Sequence, residues 1–167
     1  MNYSAVTFDD MANGEGVRTV IWVSGCTVGC EECHNKELQD FDHGEEFTDD
    51  TLLEVIQHTL KPWVSGVTLT GGHPLEEKNL DGVLHIVKTL SERVPGKTIW
   101  LYTGYVWEDI IKNKKIFEIL EYCDVVVDGM YKKELRDITL KFRGSSNQRL
   151  IKSKQSLKEG KVITLDE

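Results

Sequence analysis

The sequence has few of the features that mark membrane-spanning, multidomain or nucleic-acid-binding proteins. Only 3 of its 167 residues are proline. No stretch of the sequence approaches the roughly 20 apolar residues of a membrane span. Basic residues are in deficit, since 20 lysines and arginines face 28 aspartates and glutamates, for a net charge of −8. This balance argues against a broad phosphate-binding surface, so we expect neither a nucleic-acid partner nor a membrane partner.

The chain also lacks an internal repeat and any Pro-, Gly- or Ser-rich linker. We therefore expect residues 1–167 to form a single domain, with a full hydrophobic core and a flexible tail from about residue 153. The first ten residues have neither the basic start nor the apolar core of a signal peptide. The expected location is the cytoplasm.

Cysteine is scarce, but its distribution is informative. Three of the four cysteines, Cys26, Cys30 and Cys33, follow the spacing C-x3-C-x2-C. Thiols clustered in this way suit a metal site better than a disulfide framework. Three thiolates can bind three irons of a cubane iron–sulfur cluster, which takes four ligands. One iron would then remain open to a small molecule.

A zinc site is the alternative interpretation of the same cysteines. His34 could complete a Cys3His ligand set, which is common for tetrahedral zinc. However, His34 is adjacent to Cys33, which makes an awkward chelate, and the chain has no second zinc knuckle. Cys123 is a poor fourth ligand because it precedes its predicted strand and so lies at the opposite end of the sheet.

Predicted strands and helices alternate along the chain. Segments rich in β-branched and aromatic residues predict four strands, at 18–24, 66–70, 97–102 and 124–127. Helical spacing of apolar residues predicts helices that begin at Thr48, Asn79 and Val106, the last with an interruption near Asn113. Strands that alternate with helices pair in parallel through right-handed crossovers.

Glycine directly follows each of these four strands, or follows it after one further residue, at Gly25, Gly71 and Gly72, Gly104, and Gly129. In βα barrels and open α/β sheets the active site lies at the carboxyl ends of the strands. We therefore expect the cysteine loop and these glycines to surround one opening. Because a complete eight-stranded βα barrel takes about 250 residues, the sequence predicts an α/β fold with a partial, open βα barrel of mainly parallel strands.

These motifs resemble those of the radical S-adenosylmethionine enzymes, in which a C-x3-C-x2-C loop follows the first strand and a Gly-Gly-x-Pro turn follows the second. Within that superfamily the chain is most similar to the activating proteins of anaerobic (class III) ribonucleoside-triphosphate reductases. The similarity extends from about residue 2 to residue 150. It is carried by segments 13–18, 23–26, 33–36, 71–75, 99–105, 127–129 and 142–148.

The resemblance implies that Cys26, Cys30 and Cys33 are the metal-binding and catalytic residues. They would bind three irons of a [4Fe-4S] cluster, and the amino and carboxylate groups of S-adenosyl-L-methionine would chelate the fourth. An electron from a donor such as flavodoxin or ferredoxin would pass through the cluster and cleave the sulfonium bond. The resulting 5′-deoxyadenosyl radical would take hydrogen from a glycine of the large reductase subunit and leave a glycyl radical there.

The resemblance also assigns residues to the S-adenosyl-L-methionine site. Glu32, Cys33 and His34 would line this cofactor. Gly71 and Gly72 would contact it through their backbone atoms.

The chain departs from the family pattern at two positions. His73 follows the Gly-Gly pair where an acidic residue is common, and His34 follows the last cysteine where tyrosine is common. A carboxylate can accept a hydrogen bond from an ammonium group, whereas a neutral imidazole can do so through one nitrogen only. His34 would either stack near the adenine or be solvated.

Several other residues are further candidates. Arg18 would contact anions on the substrate side, and Gly14 and Gly16 would shape a turn below the site. Asp128 would cap a turn or contact ribose. Segment 143–148 would close the opening, meet the partner or form a plain surface turn. Trp63 and Trp107 are predicted to belong to the core.

The predicted function is therefore activation of the anaerobic reductase, by a protein that acts alone or as a homodimer. The first alternative is the same chemistry on another glycyl-radical enzyme of the pyruvate formate-lyase type. The second is a non-catalytic Cys3His zinc-binding interaction module.

Overall fold

The computed structural model describes residues 1–30, 33 and 36–165, and the strands in this part of the chain form one seven-stranded sheet in the order β3-β1-β2-β4-β5-β6-β7. The strands are β1 (Asn2–Asp10), β2 (Arg18–Val23), β3 (Glu45–Glu46), β4 (Gly66–Gly71), β5 (Thr98–Tyr102), β6 (Val125–Asp128) and β7 (Arg149–Lys152).

The centre of the sheet is parallel and its edges are antiparallel. β2, β4, β5 and β6 correspond to the four predicted strands and pair in parallel, in that order. β1 and β3 add antiparallel strands at one edge, and β7 adds one at the other. The predicted α/β class is confirmed. The sheet is mixed, however, because antiparallel strands extend its parallel centre on both sides.

Five helices connect or follow these strands in the described part of the chain: α1 (Asp49–Thr59), α2 (Leu80–Arg93), α3 (Trp107–Ile110), α4 (Lys114–Tyr122) and α5 (Ser153–Glu159). The polar residue before a helix explains where two of them begin. The Thr48 side chain accepts a hydrogen bond from the Thr51 N–H, and the Asn113 side chain accepts from the N–H groups of Lys115 and Ile116. Asn113 also produces the predicted interruption between α3 and α4.

The two faces of the sheet pack against different partners. In β5, Ile99 and Leu101 join the large apolar cluster formed with the helices, whereas Trp100 between them joins a smaller cluster on the opposite face. This alternation follows from the period of two in a strand. Tyr102 and Phe142 pack on the smaller cluster, so the face away from the helices is partly apolar.

The sequence predictions for two side chains, Trp63 and Arg18, are wrong. Trp63 is 56% exposed, because it lies in the turn after α1, where its indole N–H donates to Asp9. Arg18 does not reach the substrate side: it is fully buried and stacks 5.5 Å from the Trp100 ring. Its guanidinium donates to the hydroxyls of Thr68 and Thr98 and to backbone carbonyls. By contrast, Trp107 is buried as predicted.

Up to residue 165, the segment after residue 152 contains one helix and one isolated β-bridge. Helix α5 follows β7 directly, and the Ser153 hydroxyl donates to the Leu120 carbonyl at 2.7 Å. Beyond the helix, Thr164 forms a bridge with Ile151. None of the described helices is long and apolar enough to cross a membrane.

Candidate active site

A cavity of about 490 Å³ lies where the four parallel strands end. Cys26 after β2, Gly71 and Gly72 at the end of β4, Gly104 after β5 and Gly129 after β6 all line it. Register explains the arrangement, because parallel pairing brings the carboxyl ends of all four strands to one edge of the sheet. The structure thus brings together the strand ends that the glycine pattern picks out.

All three clustered cysteines line this cavity. They carry free thiols of intermediate exposure, whereas Cys123 is buried elsewhere, with its thiol donating to the Ile119 carbonyl. Glu32 and His34, the other predicted residues of this loop, lie outside the described residues. The structure therefore separates the clustered cysteines from the fourth one, as the metal-site interpretation requires.

Both the entry and the return of the cysteine loop are held by backbone hydrogen bonds. The Gly25 N–H donates to the Leu38 carbonyl at 2.7 Å, and the Cys26 N–H donates to the Gln39 carbonyl at 3.2 Å. Gly25 has a φ of +98°, and a Cβ there would lie 2.1 Å from the Phe41 ring. Only glycine fits this position, because the backbone is left-handed and space is closed.

Burial raises the pKa of the Cys26 and Cys30 thiols. In the metal-free protein these thiols are therefore protonated near neutral pH, and a metal must displace the protons. Within residues 1–30, 33 and 36–165, no three His, Cys, Asp or Glu side chains converge as ligands of one metal ion. His34, the fourth ligand of the zinc interpretation, lies outside the described residues.

The Gly-Gly turn packs directly against the cysteine-bearing strand. The Gly72 N–H donates to the Val23 carbonyl at 2.8 Å, and the His73 N–H donates to the Gly25 carbonyl at 2.9 Å. A Cβ on Gly72 would lie 2.5 Å from the Leu38 carbonyl oxygen. These two N–H groups are therefore used within the protein and do not point at a ligand.

His73 is enclosed in a hydrogen-bond network. It is 1% exposed, its Nδ1 lies 2.9 Å from a Glu76 carboxylate oxygen, and its Nε2 lies 2.7 Å from the Thr103 hydroxyl. Burial lowers the pKa of His73, so the ring is neutral at neutral pH. Nδ1 then donates to Glu76 and Nε2 accepts from Thr103. Both ring nitrogens are engaged, so neither can accept from a ligand ammonium in this arrangement.

The far wall of the cavity comes from the segment between β6 and β7. Gln148 accepts hydrogen bonds from the N–H groups of Gly144 and Ser145 and donates to the Gly129 carbonyl at 3.0 Å. Asn147 donates to the Met130 carbonyl at 2.8 Å. Segment 143–148 is therefore part of the cavity wall, because its side-chain amides tie it to the end of β6.

Asp128 has a structural role in this arrangement. It is 1% exposed, accepts from the Trp107 N–H at 2.9 Å and pairs with Arg149 at 2.6 Å. One carboxylate thus caps the first turn of α3 and holds β7, which favours the capping interpretation over contact with ribose.

Comparison with known proteins is consistent with this site. The family model for a 4Fe-4S single cluster domain matches residues 12–151. The anaerobic ribonucleoside-triphosphate reductase-activating protein of Enterobacteria phage T4 is 43% identical over 150 residues, which cover 90% of this chain and 93% of that protein. The chain belongs to this family of activating proteins. The family members of Pasteurella multocida and Escherichia coli K12 are 37% and 34% identical, over 89% of this chain and 95% and 96% of their own lengths.

Sequence reasoning missed two side chains beside the cavity. Glu76 and Thr27 hydrogen-bond to each other and hold the cysteine loop against the Gly-Gly turn. Glu76 stands in a run of charged residues that resembles a solvated helix start, so its burial has no signal in the sequence. Only the three-residue spacing from His73 hints at a side-chain pair.

Proposed function

We propose that this protein cleaves S-adenosyl-L-methionine reductively at a [4Fe-4S] cluster and generates a glycyl radical on an anaerobic ribonucleoside-triphosphate reductase. The observation that carries the proposal is the presence of three part-exposed thiols and a Gly-Gly turn in one cavity. Family membership supports it, because relatives that match about nine tenths of this chain are named as activating proteins of this reductase.

The cysteines fit an iron–sulfur cluster in number and in chemistry. Thiolates are the usual ligands of such clusters, and Cys26, Cys30 and Cys33 reach a cavity rather than the core. We assign each of them to one iron. The fourth iron is assigned to the amino and carboxylate groups of S-adenosyl-L-methionine.

The cavity fits a small-molecule cofactor. Its volume of about 490 Å³ falls within the range of about 300–1,000 Å³ for ligand sites. We assign the carbonyl oxygens of Gly71 and Gly72 to the ammonium group of S-adenosyl-L-methionine, because the neighbouring N–H groups and the His73 ring are engaged within the protein. Glu32, Cys33 and His34 remain proposed cofactor contacts.

When bound, the reduced cluster supplies the electron that breaks the sulfonium carbon–sulfur bond. The chain's own contribution is binding, orientation and exclusion of water. Tyr102 and Phe142 form an apolar part of the wall, and the Tyr102 hydroxyl donates to the Phe142 carbonyl at 2.6 Å. Burial raises the pKa of Tyr102, so this hydroxyl stays neutral and the wall carries no phenolate charge.

The same observations support a fold type and a set of partners. Four parallel strands whose carboxyl ends surround one cavity support a partial βα barrel of the radical S-adenosylmethionine type. The large reductase subunit is the proposed substrate, and flavodoxin or ferredoxin is the proposed electron donor. Four free cysteines support a reducing compartment such as the cytoplasm.

The decisive experiment is anaerobic reconstitution followed by two product measurements. Reduced, reconstituted protein is expected to release 5′-deoxyadenosine from S-adenosyl-L-methionine. Mixed with the reductase, it is expected to give a glycyl-radical resonance in electron paramagnetic resonance spectra. Failure to release 5′-deoxyadenosine from a protein that holds its iron would overturn the proposed reaction, and cleavage without the resonance would exclude this substrate.

Cys26→Ala and Cys123→Ala form a matched pair for the cluster assignment. Cys26 lines the cavity, whereas Cys123 is fully buried outside it. We expect Cys26→Ala to lose stable binding of four irons and all cleavage activity, and Cys123→Ala to retain both. Four irons bound by Cys26→Ala would contradict the ligand assignment.

A further inference from the structure

A single carboxylate connects the cysteine loop to the Gly-Gly turn. Glu76 accepts a hydrogen bond from the Thr27 N–H at 2.8 Å and another from the Thr27 hydroxyl at 2.9 Å. Thr27 is the residue directly after Cys26. Both a backbone group and a side-chain group of the loop are therefore held at the position next to a proposed iron ligand.

His73 fixes the orientation of this carboxylate. Its Nδ1 donates to the same Glu76 oxygen that accepts from the Thr27 N–H. The other ring nitrogen meets the hydroxyl of Thr103, which in turn accepts from the Tyr105 N–H at 3.1 Å. The network thus spans three strand ends, those of β2, β4 and β5.

The Glu76 and His73 side chains of this network are buried, so their hydrogen bonds are shielded from water. Glu76 is 5% exposed and His73 is 1% exposed, and a buried carboxylate is costly unless it is fully hydrogen-bonded. Hydrogen bonds to a charged acceptor are also the stronger kind. The site therefore keeps an ionised carboxylate out of water, and the groups that compensate it are His73 and the cysteine loop.

We propose that Glu76 is a positioning residue that clamps the cluster-binding loop through Thr27, with His73 holding Glu76 in place. The clamp sets how firmly the loop retains its iron. The proposal rests on the proposed function in one respect, the assignment of Cys26 as an iron ligand. It assigns His73 a role through Glu76 rather than a direct contact with cofactor.

The test compares the rate at which a chelator removes iron from anaerobically reconstituted variants. Removing an interaction that orients a metal ligand typically weakens metal retention about 10- to 100-fold. We expect iron loss from Glu76→Ala to be at least about tenfold faster than from the unmodified protein. The matched control is Glu77→Ala, the adjacent and exposed glutamate, which is expected to lose iron at the unmodified rate.

Conservative variants separate positioning from a general loss of structure. In Glu76→Gln the amide oxygen can still accept from the Thr27 N–H, so most of the iron retention is expected to return. Likewise, Asn at position 73 can place a donor near the position of Nδ1 whereas Leu cannot, so His73→Asn is expected to retain iron better than His73→Leu. Circular dichroism of the apo proteins checks that each variant folds.

Thr27→Val provides a test that does not remove a buried group. Thr27 is exposed, and valine keeps its shape and N–H but not its hydroxyl bond to Glu76, so faster iron loss is expected here too. Equal rates for Glu76→Ala and Glu77→Ala, or no rescue by Glu76→Gln, would overturn the clamp. Iron retention involves neither S-adenosyl-L-methionine nor reductase, so a protein that holds iron but cleaves nothing would refute the proposed function alone.

Discussion

At the scale of single residues, Gly72 is as important for the shape of the cavity as the clustered cysteines, because it has no side chain. Gly72 allows the turn after β4 to approach the cysteine-bearing strand, and a Cβ would lie 2.5 Å from the Leu38 carbonyl and 2.8 Å from the Gly25 carbonyl. Both obstacles are backbone atoms and cannot move as a flexible side chain would. The geometry of the cavity therefore depends on this one position.

Gly72→Ala is expected to lower the free energy of unfolding of the apo protein by about 1–3 kcal/mol, because overpacking forces backbone shifts. Chemical denaturation measures this change. Gly82→Ala is the control: Gly82 lies within helix α2, where the atoms nearest to an added Cβ belong to the flexible Met1 side chain, at 3.0 Å or more. Alanine favours helix there, so no loss is expected. Equal destabilisation by both variants would contradict the steric argument.

At the scale of elements, one arginine joins β7 to the rest of the fold through two carboxylates of different burial. Arg149 pairs with Asp128, whose side chain is 1% exposed, and with Glu108, whose side chain is 56% exposed. Asp128 also caps α3. The buried partner should therefore contribute more to stability than the exposed one.

Asp128→Ala is expected to lower the free energy of unfolding by about 1–3 kcal/mol, because it leaves the Trp107 N–H and part of Arg149 without their acceptor. Glu108→Ala, which removes the exposed partner of the same arginine, is expected to cost about 0–1 kcal/mol. Denaturation curves for the two variants measured side by side give the comparison. A larger loss for Glu108→Ala would show that the cap and the buried pair contribute little.

At the scale of the whole molecule, the sheet separates the cysteines into two populations. Cys26, Cys30 and Cys33 are part-exposed on the cavity, whereas Cys123 is buried beside the helices. Burial also raises the pKa of Cys123, so its reactive thiolate form is strongly disfavoured.

A thiol reagent should therefore modify three cysteines in the native apo protein and all four after denaturation. Mass spectrometry of the modified protein counts the adducts directly. Cys123→Ala is the matched control and is expected to give three adducts in both states. Four adducts in the native protein would show that the fourth thiol is accessible.

The parallel centre of the fold was predictable because its signals are local. Strands rich in β-branched residues, a Thr48 cap, an Asn113 interruption and glycine after each strand are all visible along the chain. The antiparallel edges were not predictable in the same way. β1 carries an irregular pattern with bulges, and the place of β7 depends on pairing with β6 rather than on its own sequence.

The candidate site was predictable to the extent that it follows strand ends. Parallel register brings Cys26, Gly71 and Gly129 to one edge whatever their side chains are, so their meeting follows from topology. Contacts that depend on rotamers did not follow from the pattern. The burial of Glu76 and the inward direction of Arg18 are decided by tertiary packing, which no local spacing encodes.

The walls of the cavity come from residues that lie far apart in the chain, so the cavity is completed late in synthesis. Cys26 and Gln148 both line the cavity, so the enclosure is complete only after Gln148 has been synthesised. At about 5–20 residues per second, that is roughly 6 to 24 seconds after the first cysteine is synthesised. Throughout this interval the cavity wall is incomplete around the thiols, so an enclosed site for iron exists only after segment 143–148 has been synthesised.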